Sequence, residues 1–565
     1  MSSLFNIAAG SSSTEFYNFA VTNSLRFDDG SSSYLQRTFN GDRQTYTISF
    51  WYKRSNITST TQRILHCLDP SPSSSYRGAV YIDTDQRLYF EVGGSSRFRL
   101  ISNSLFRDPS SWYNIVLVAD LTSSTQADRL RMYVNGTRIT TAGAGGGFST
   151  ETQPSNNTYS AGLLNSNNLH EISGYDASGD YLDGYLAEFN FIDDQALDAS
   201  SFGQTKSGVW IPKNTSGLSF GTSGFRLQFK ETGTGTASSS TIGADTSGNN
   251  NHFSSTNLSA HDVVPDSPTN NFATFNPLIL DDFTLSEGSL YATSAVAQLG
   301  IVAGTMSTKG QKFYCEVRVV VVSNGTAIGI AKSSNAGSRA YGTAQDFALY
   351  YSFGGTAFKF EVNQGVSWAT YTSGDVIGMA IDGVAGTIQF FKNGVSQGTI
   401  SEATLATEDY LIYCINGTTS GGNYAVYTLN SGQDSTFAGT ETAATNTDEN
   451  GIGAFHHSVP SGFLAMCTAN LSEPSITPLN DDISEDYFDV VLWEGTGSAQ
   501  SITGLQFSPN FVWLKNRDHT DWHNLMDTVR TNSSRLASNE TNAEDDGSGI
   551  TVSYTHLTLP TNREV

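Results

Sequence analysis

Residues 129–140, with the sequence RLRMYVNGTRIT, place Asn135-Gly136 between two short strand-like runs. Asn-Gly is typical of two-residue hairpin turns, because both central residues of a type I′ turn need a positive φ. The nearly continuous apolar run WYNIVLVAD, at residues 112–120, lies just upstream and predicts a buried strand. This part of the chain is therefore predicted to form an antiparallel sheet.

The same arrangement occurs a second time at residues 374–400. The apolar run GDVIGMAID ends in Asp382, the strand-like run GTIQFFK follows, and Asn393-Gly394 precedes a returning strand. The spacing differs between the two copies, so they indicate two sandwiches of similar architecture and not a short tandem repeat.

The composition agrees with an all-β chain. Gly accounts for 54 of 565 residues and aromatic residues for 12%, and Gly, Asn, Asp and Ser turns separate runs rich in Thr, Val, Ile and aromatics. The length leaves room for about three or four domains. The cysteines form no CxxC pair and are predicted to be buried thiols; they are Cys67, Cys315, Cys414 and Cys467.

The charge pattern argues against some partners. The net charge is −24 and the acidic residues are scattered, whereas contacts with phosphates need clustered Lys and Arg. No run of about 18 apolar residues predicts a membrane span. The start, MSSLFNIAAGSSS, has neither the basic nor the apolar part of a secretory signal. We expect no nucleic acid partner, no membrane insertion and no signal peptide.

Seven segments are predicted along the chain. They are an N-terminal arm (1–19), a first sandwich (20–212), an ordered connector (213–276), a second sandwich (277–430), another connector (431–484), a smaller β domain (485–551) and a tail (552–565). The last residues, SYTHLTLPTNREV, resemble translated sequencing-adapter read-through. We therefore expect the tail to be non-native and the third domain to be incomplete.

Both sandwiches resemble known families. Residues 20–212 resemble the laminin-G-like, concanavalin-type family through SLRFDDGSSSYLQR, TISFWYKRS and YLDGYLAEFNFIDDQALDASSFG. Residues 277–430 resemble a SPRY domain, most specifically through SGDVIGMAIDGVAGTIQFFKNGVSQGTI. The resemblance implies an all-β fold with two concanavalin A-like jelly-roll antiparallel sandwiches, followed by the smaller β-rich domain.

The series of segments is similar to large structural proteins of marine bacteriophages, for example in SFGQTKSGVWIPKN and SITGLQFSPNFVWLKNRDHTDWHNLMDTVR. This resemblance implies a tail or tail-fibre-type virion protein, made in the bacterial host cytoplasm. Its implied partners are host-surface glycans and other virion proteins, and a homo-oligomer stays open. The alternatives are a tail-associated glycan depolymerase and a bacterial surface adhesin.

The chain lacks the motifs of the expected enzymes. Concanavalin-type glycanases carry Glu-x-Asp-x-x-Glu on one strand, which aligns carboxylates on one face for hydrolysis. Glu188 lies in LAEFNFIDD without that spacing, and no HExxH, GxSxG or phosphate loop occurs. A binding protein is therefore predicted, and not an enzyme.

Calcium is the ion that the laminin-G-like resemblance implies, held by loop oxygens at the sandwich rim. The candidate ligands are Asp83 and Asp85 in one predicted hairpin, and Asp176, Asp180 and Asp183 in GYDASGDYLDG. The alternative is that these are solvated turn residues, because Asp favours turns. No other cofactor is expected.

Four aromatic residues of the SPRY-like region lie in or beside predicted loops. They are Tyr350, Tyr351, Trp368 and Tyr371. An exposed aromatic face is a good platform for a sugar ring, so these residues are candidate ligand contacts. The alternative is that they belong to the core, as alternating aromatics in strands commonly do.

Overall fold

The computed structural model describes most of the chain, which divides into two compact units, Met1–Glu473 and Pro474–Val565. The described residues are 16–39, 41, 44–57, 60–67, 78–92, 98–141, 143, 146–155, 164–175, 179–295, 299–323, 325–337, 347–359, 362–417, 424–471, 486–496, 498, 500–530, 534–546, 551–553 and 556–558.

The first unit begins with a sandwich of two eight-stranded sheets. Its strands are β1 (Ser24–Phe27), β2 (Tyr34–Phe39), β3 (Thr45–Arg54), β4 (Gln62–Cys67), β5 (Gly78–Ile82), β6 (Arg87–Val92), β7 (Phe98–Leu105), β8 (Trp112–Asp120), β9 (Leu130–Val134), β10 (Thr137–Arg138), β11 (Phe148–Thr152), β12 (Asn168–Ile172), β13 (Gly184–Asp193), β14 (Gly203–Lys206), β15 (Val209–Pro212), β16 (Phe225–Leu227), β17 (Ser254–Thr256) and β18 (Val263–Val264). The sheet whose strands contact the second sandwich is called the junction sheet. It has the order β10-β9-β8-β3-β13-β1-β18, with β16 paired to β13. The outer sheet has the order β11-β7-β6-β5-β4-β12-β2-β17, and β14 and β15 form a separate hairpin.

A second sandwich follows in the same unit. Its strands are β19 (Phe275–Asp281), β20 (Phe283–Ser286), β21 (Tyr291–Ser294), β22 (Gly300–Gly304), β23 (Lys312–Val321), β24 (Ala327–Lys332), β25 (Phe347–Tyr351), β26 (Ala357–Lys359), β27 (Val362–Asn363), β28 (Val376–Asp382), β29 (Thr387–Lys392), β30 (Val395–Ser401), β31 (Tyr410–Asn416), β32 (Val426–Asn430) and β33 (Leu464–Ala465). One sheet has the order β19-β22-β31-β24-β25-β26-β27 and the other β20-β21-β32-β23-β28-β29-β30. The last strand, β33, pairs in parallel with β23.

The second unit contains two small sheets. Its strands are β34 (Ser501–Ile502), β35 (Phe511–Leu514), β36 (Asn524–Asp527), β37 (Ser534–Ala537), β38 (Asp545–Asp546), β39 (Thr551–Ser553) and β40 (His556–Thr558). Its core cluster, among the residues that are described, consists of Leu514 and Met526 with partly buried neighbours.

The other described elements are short 3-10 turns. They are Gln126–Asp128, Ala199–Ser201, Ala260–Asp262, Phe353–Gly355, Ala403–Ala406 and Thr468–Asn470. The all-β prediction is therefore confirmed. None of the described segments is a helix with the length and hydropathy needed to cross a membrane.

Both predicted Asn-Gly hairpin turns are confirmed. The φ angles of Asn135 and Asn393 are 47° and 48°, and the glycine after each also has a positive φ. The side-chain oxygen of Asn135 accepts the Asn114 N–H at 2.8 Å, and that of Asn393 accepts the Val376 N–H at 2.8 Å. The two sandwiches thus use the same turn and the same side-chain contact at equivalent places.

Strand alternation places the core where the sequence predicts it. Tyr46, Ile48 and Phe50 of β3 are fully buried and belong to one apolar cluster between the two sheets of the first sandwich. The cysteines are free and buried, as predicted; they are Cys67, Cys315, Cys414 and Cys467. The stretch at residues 213–276 contributes three strands to the first sandwich, since β16, β17 and β18 pair with β13, β2 and β1.

A buried carboxylate holds the end of the first unit in place. Glu316, on β23, accepts the backbone N–H groups of His456 and His457 at 2.9 and 2.7 Å, and it also accepts from Asn430 and Tyr314. Burial raises the pKa of Glu316 to about 7, although these hydrogen bonds favour the ionised form.

We predict that this carboxyl makes folding pH-dependent. Since the pKa of Glu316 is about 7 in the folded protein and 4.5 is its ordinary value, the folded state keeps a proton that the unfolded chain loses. Its contribution to the free energy of unfolding is complete below pH 4.5 and falls by roughly 3 kcal/mol as the pH rises to 7 and above. In Glu316→Gln this fall is absent. The free energy of unfolding, measured with urea between pH 5 and 8, should therefore change less with pH than in the unchanged protein. Equal slopes in the variant and the unchanged protein would contradict this.

Candidate functional site

The two sandwiches meet at a buried charged junction centred on Arg26 of β1. Its guanidinium, which has no exposed surface, lies 3.3 Å from Asp262, 3.2 Å from Glu287 and 3.3 Å from Asp434. These carboxylates come from a 3-10 turn, the β20–β21 turn and the loop after β32. Burial alone lowers the pKa of Arg26, but the charges of Asp434, Glu287 and Asp262 outweigh it and raise the pKa. Arg26 therefore stays charged and joins three separate segments.

A second buried ion pair lies on the same face of the junction sheet. Lys53 Nζ contacts Asp266 Oδ2 at 2.7 Å and Asn271 Oδ1 at 2.6 Å. Trp112 Nε1 donates to the other oxygen of Asp266 at 3.2 Å. The connector is thereby fixed across the junction sheet.

The turn between β20 and β21 contacts the first sandwich directly. Glu287 N–H donates to Asp28 Oδ1 at 3.0 Å, and Tyr185 OH donates to Gly288 O at 2.7 Å. Ser289 Oγ donates to the backbone oxygen of Ser55. These contacts hold the two sandwiches in one arrangement.

We predict that the charge on Arg26 is needed for this arrangement. In Arg26→Met the side chain keeps its approximate length but leaves three carboxylates without their cation, so the free energy of unfolding of the full chain falls by about 3–5 kcal/mol. Urea unfolding measures this. The control is Arg138→Met, which removes an ion pair with Asp128 whose side chains are both over one-third exposed and which should change stability by less than about 1 kcal/mol. A loss of similar size in both variants would contradict the prediction.

Three carboxylates gather beside the junction and form the acidic cluster. Ligand oxygens of Asp28, Asp29 and Asp183 all lie within 4.8 Å of one another. Asp28 follows β1 and Asp183 precedes β13, and the antiparallel register pairs Phe27 with Gly184. The pairing of these two strands brings the carboxylates together.

Asp183 is the most buried member of the acidic cluster. Ser55 Oγ donates to its Oδ1 at 2.6 Å, while its fully buried Oδ2 accepts no hydrogen bond from the described residues. Burial raises the pKa of Asp183 to about 8, and the charges of Asp29 and Asp28 raise it further, against the lowering by hydrogen bonding from Ser55 and Asn56. Burial and the neighbouring charge of Asp28 also raise the pKa of Asp29. An oxygen-only, carboxylate-rich set of this kind suits a hard divalent cation such as calcium.

The structure separates the calcium ligands predicted from sequence. Asp83 and Asp85 bond to groups within and beside the β5–β6 hairpin, and Asp180 pairs with Arg63 at 2.9 Å. Asp176 lies outside the described residues. Of the predicted set only Asp183 lies in the acidic cluster.

Asp28 and Asp29 are not among the ligands predicted from sequence, because Asp-Asp-Gly is also typical of a turn. The Asp-Asp-Gly at the end of β1 was a visible signal. Its meaning depends on the pairing of β1 with β13, which places Gly184 opposite Phe27 although the two residues are 157 positions apart in the sequence.

The predicted aromatic contacts of the second sandwich lie mostly in its core. Tyr350 and Tyr371 belong to the cluster between the sheets, and Tyr351 packs on the other side of β25 with Phe358, so these three rings are not available to a ligand. Strand alternation explains the burial of the two β25 tyrosines, because neighbouring residues of this strand enter two different apolar clusters. Trp368 is half-buried, edge-on to Tyr350 at 5.1 Å, and its part in binding stays a prediction.

Three tyrosines and one arginine lie together at the outer sheet of the first sandwich and are called the aromatic row. They are Arg63, Tyr81, Tyr89 and Tyr175. The Arg63 guanidinium lies 5.0 Å from the Tyr81 ring centre and 4.7 Å from that of Tyr175, and the rings of Tyr81 and Tyr89 stack at 4.7 Å. The adjacent residues of β5 and β6 enter the core, so the row points away from it.

The aromatic row combines ring surface with polar groups. Tyr175 is 40% exposed, and Asp180 fixes Arg63 between the rings. Tyr89 OH donates to Asp85 Oδ2 at 3.1 Å. This set is not recognisable in the sequence, since its members come from four separate segments of the chain.

Glu188, the carboxylate considered for catalysis, is engaged in structure. Its oxygens lie 2.9 Å from Arg226 and 2.8 Å from Gln228 Nε2, and the side chain is buried. This carboxylate holds β16 beside β13.

Family models match three parts of the chain. Residues 28–201 match the concanavalin A-like lectin/glucanases superfamily, residues 312–423 match the SPRY domain, and residues 483–557 match a domain family of unknown function. The chain has no match among curated proteins. The two resemblances inferred from sequence for the sandwiches are therefore confirmed.

Solved structures show similar folds over parts of the chain. The SPRY domain of human HERC1 has 19% identity and a TM-score of 0.24, covering 27% of this chain and 96% of that one. A heptameric SAP-like pentraxin from Limulus polyphemus has 18% identity and a TM-score of 0.22, covering 32% and 79%. A candidate carbohydrate binding protein from Bacteroides ovatus has 12% identity and a TM-score of 0.28, covering 42% and 58%. The chain carries a concanavalin A-like domain and a SPRY domain, both of them antiparallel jelly-roll sandwiches.

Proposed function

We propose that this chain is a tail-associated virion protein of a bacteriophage that binds host-surface glycans through the aromatic row. The pre-assembled row on a concanavalin A-like sandwich, with Tyr175 as its exposed member, is the observation that carries the glycan-binding part. The virion part rests on the resemblance of the segment series to marine phage structural proteins. Portal, capsid or tail-tube genes beside its gene would support the virion part, and secretion genes there would favour a bacterial adhesin.

The aromatic row suits a sugar for a physical reason. A sugar ring presents C–H groups on its faces and hydroxyl groups at its edge, so it needs both apolar surface and hydrogen-bonding groups. Tyr175 supplies a partly exposed ring, and Arg63 and Asp180 supply a donor and an acceptor. Because Arg63 is already held between two rings, little side-chain entropy is lost on binding. Several copies on one virion would strengthen weak single contacts.

We predict that Tyr175→Ala weakens glycan binding by the full chain about tenfold, which corresponds to about 1.4 kcal/mol. The probe is an array of bacterial capsular polysaccharides and lipopolysaccharides, with affinities then measured for the glycans that bind. The matched control is Tyr424→Ala on the second sandwich, because Tyr424 is exposed to a similar extent, 37%. Its affinities should equal those of the unchanged protein.

Three outcomes would contradict the proposal. Equal loss in both tyrosine variants, or no binding to any bacterial glycan, would remove the aromatic row as the binding surface. Release of reducing ends from a bound polysaccharide would show a depolymerase instead. We propose that no such release occurs, since Glu188 is committed to Arg226.

The acidic cluster is proposed to bind calcium in the same protein. Asp28, Asp29 and Asp183 supply the carboxylate oxygens, and a cation would use the buried Oδ2 of Asp183, to which no group in the described part of the chain donates a hydrogen bond. Since ionising Asp183 is unfavourable without a partner charge, a bound divalent cation would compensate for its burial.

We predict that calcium raises the stability of the full chain, by about 2.7 kcal/mol at a concentration 100 times its dissociation constant. Thermal unfolding with calcium and with chelator measures this. Asp183→Asn keeps the size of the side chain but should lose the calcium response, whereas Asp85→Asn, in the hairpin that the sequence suggested, should keep it. A response lost in Asp85→Asn and kept in Asp183→Asn would place the ion at the hairpin instead.

A further inference from the structure

The acidic cluster and the second sandwich share residues. Asp28 belongs to the cluster and also accepts the Glu287 N–H of the β20–β21 turn. Ser55 donates to Asp183 of the cluster through its hydroxyl group, and its backbone oxygen accepts from Ser289 of the same turn. The neighbouring Asn56 donates to Leu285 O at 3.1 Å. Residues of the cluster are therefore hydrogen-bonded directly to this turn.

The β20–β21 turn has an unusual backbone that depends on these contacts. Glu287, Gly288 and Ser289 all have left-handed φ angles, of 52°, 67° and 63°. Two of these residues carry side chains, for which this conformation is unfavourable and persists only when the surroundings hold it. Those surroundings include the first sandwich, because a Cβ on Gly288 would lie 2.3 Å from the hydroxyl oxygen of Tyr185. The turn thus fits closely against the strands that carry the cluster.

The charges on the two sides of the contact are of the same sign. Glu287 of the turn lies beside Asp28 of the cluster, and Arg26 is the cation that it faces at 3.2 Å. Arg26 is shared with Asp262 and Asp434. A divalent cation among the cluster carboxylates would therefore reduce repulsion across the junction as well as within the cluster.

We propose that the cation in the acidic cluster locks the two sandwiches together, so that cation binding and docking of the β20–β21 turn stabilise each other. This rests on the calcium site proposed above. The further step is that hydrogen bonds from the second sandwich hold the residues of the cation site in place. The second sandwich contributes no carboxylate to that site. The fully buried Asp183 Oδ2, which accepts no hydrogen bond within the part of the chain that the structure describes, identifies the cluster as a site. The contacts of Asp28 and Ser55 connect the cluster to the turn. Coupling of this kind is reciprocal: the factor by which the cation favours the docked turn is the factor by which docking of the turn favours cation binding.

The test is to disturb the turn without touching any carboxylate. Gly288→Ala places a methyl group against Tyr185. The matched control is Gly310→Ala in the same sandwich, because Gly310 has nearly the same φ, 69°, but its added methyl group would meet nothing within 4 Å. Both variants strain the backbone, and Gly288→Ala alone disturbs the junction. Calcium affinity of the full chain is measured by titration calorimetry.

We expect Gly288→Ala to weaken calcium binding about fivefold or more, the range of measured couplings between sites. Gly310→Ala should bind as tightly as the unchanged protein, and Asp183→Asn should not bind. Ser289→Ala, which deletes one junction hydrogen bond and adds no atom, should weaken binding in the same direction and is the variant to use if Gly288→Ala does not fold.

The outcomes separate the two proposals. Unchanged affinity in both Gly288→Ala and Ser289→Ala, with binding lost in Asp183→Asn, would overturn the coupling and leave the calcium site standing. Absence of calcium binding in the unchanged protein would overturn the site and the coupling with it. Equal weakening in Gly288→Ala and Gly310→Ala, with Ser289→Ala unchanged, would assign the effect to backbone strain and overturn the coupling.

Discussion

The arrangement of the first unit depends on one buried cation, Arg26. Removing a guanidinium from water costs several kcal/mol, so such a group persists where carboxylates surround it closely. Here they come from the connector, the β20–β21 turn and the loop after β32, at 3.2–3.3 Å. A displacement of either sandwich would leave buried charge unpaired. The junction is therefore specific for one orientation, which an apolar contact, being non-directional, would not enforce.

The same strand that carries Arg26 also begins the candidate metal site. Asp28 stands two residues further on, and β13 beside it brings Asp183. The junction and the acidic cluster thus lie next to each other along the paired strands β1 and β13. The aromatic row lies on the other sheet of the first sandwich, on the side that the junction does not cover. A cation and a glycan would accordingly have separate places on one domain, with the cation site next to the second sandwich.

Local sequence was enough for the strands and turns but not for the sites. The turns at Asn135 and Asn393 were predictable because positive φ is a property of the turn residues themselves. Local sequence did not reveal that Tyr350 and Tyr371 are buried, because burial depends on which side chains face the opposite sheet. Asp28 was overlooked because its partner Asp183 is distant along the chain. Of the candidate cation site, the sequence supplied Asp183 among five candidates and no reason to prefer it.

The sequence by itself determined the all-β class, the two sandwiches, the hairpin turns and the families that they resemble, because these follow from the side-chain period of strands and from backbone preferences of single residues. The tertiary structure alone decided which charges are buried and which carboxylates meet. Those properties depend on strand pairing and on the contact between the sandwiches. Burial then changes the chemistry of groups such as Asp183, whose pKa rises to about 8 because water is excluded from it.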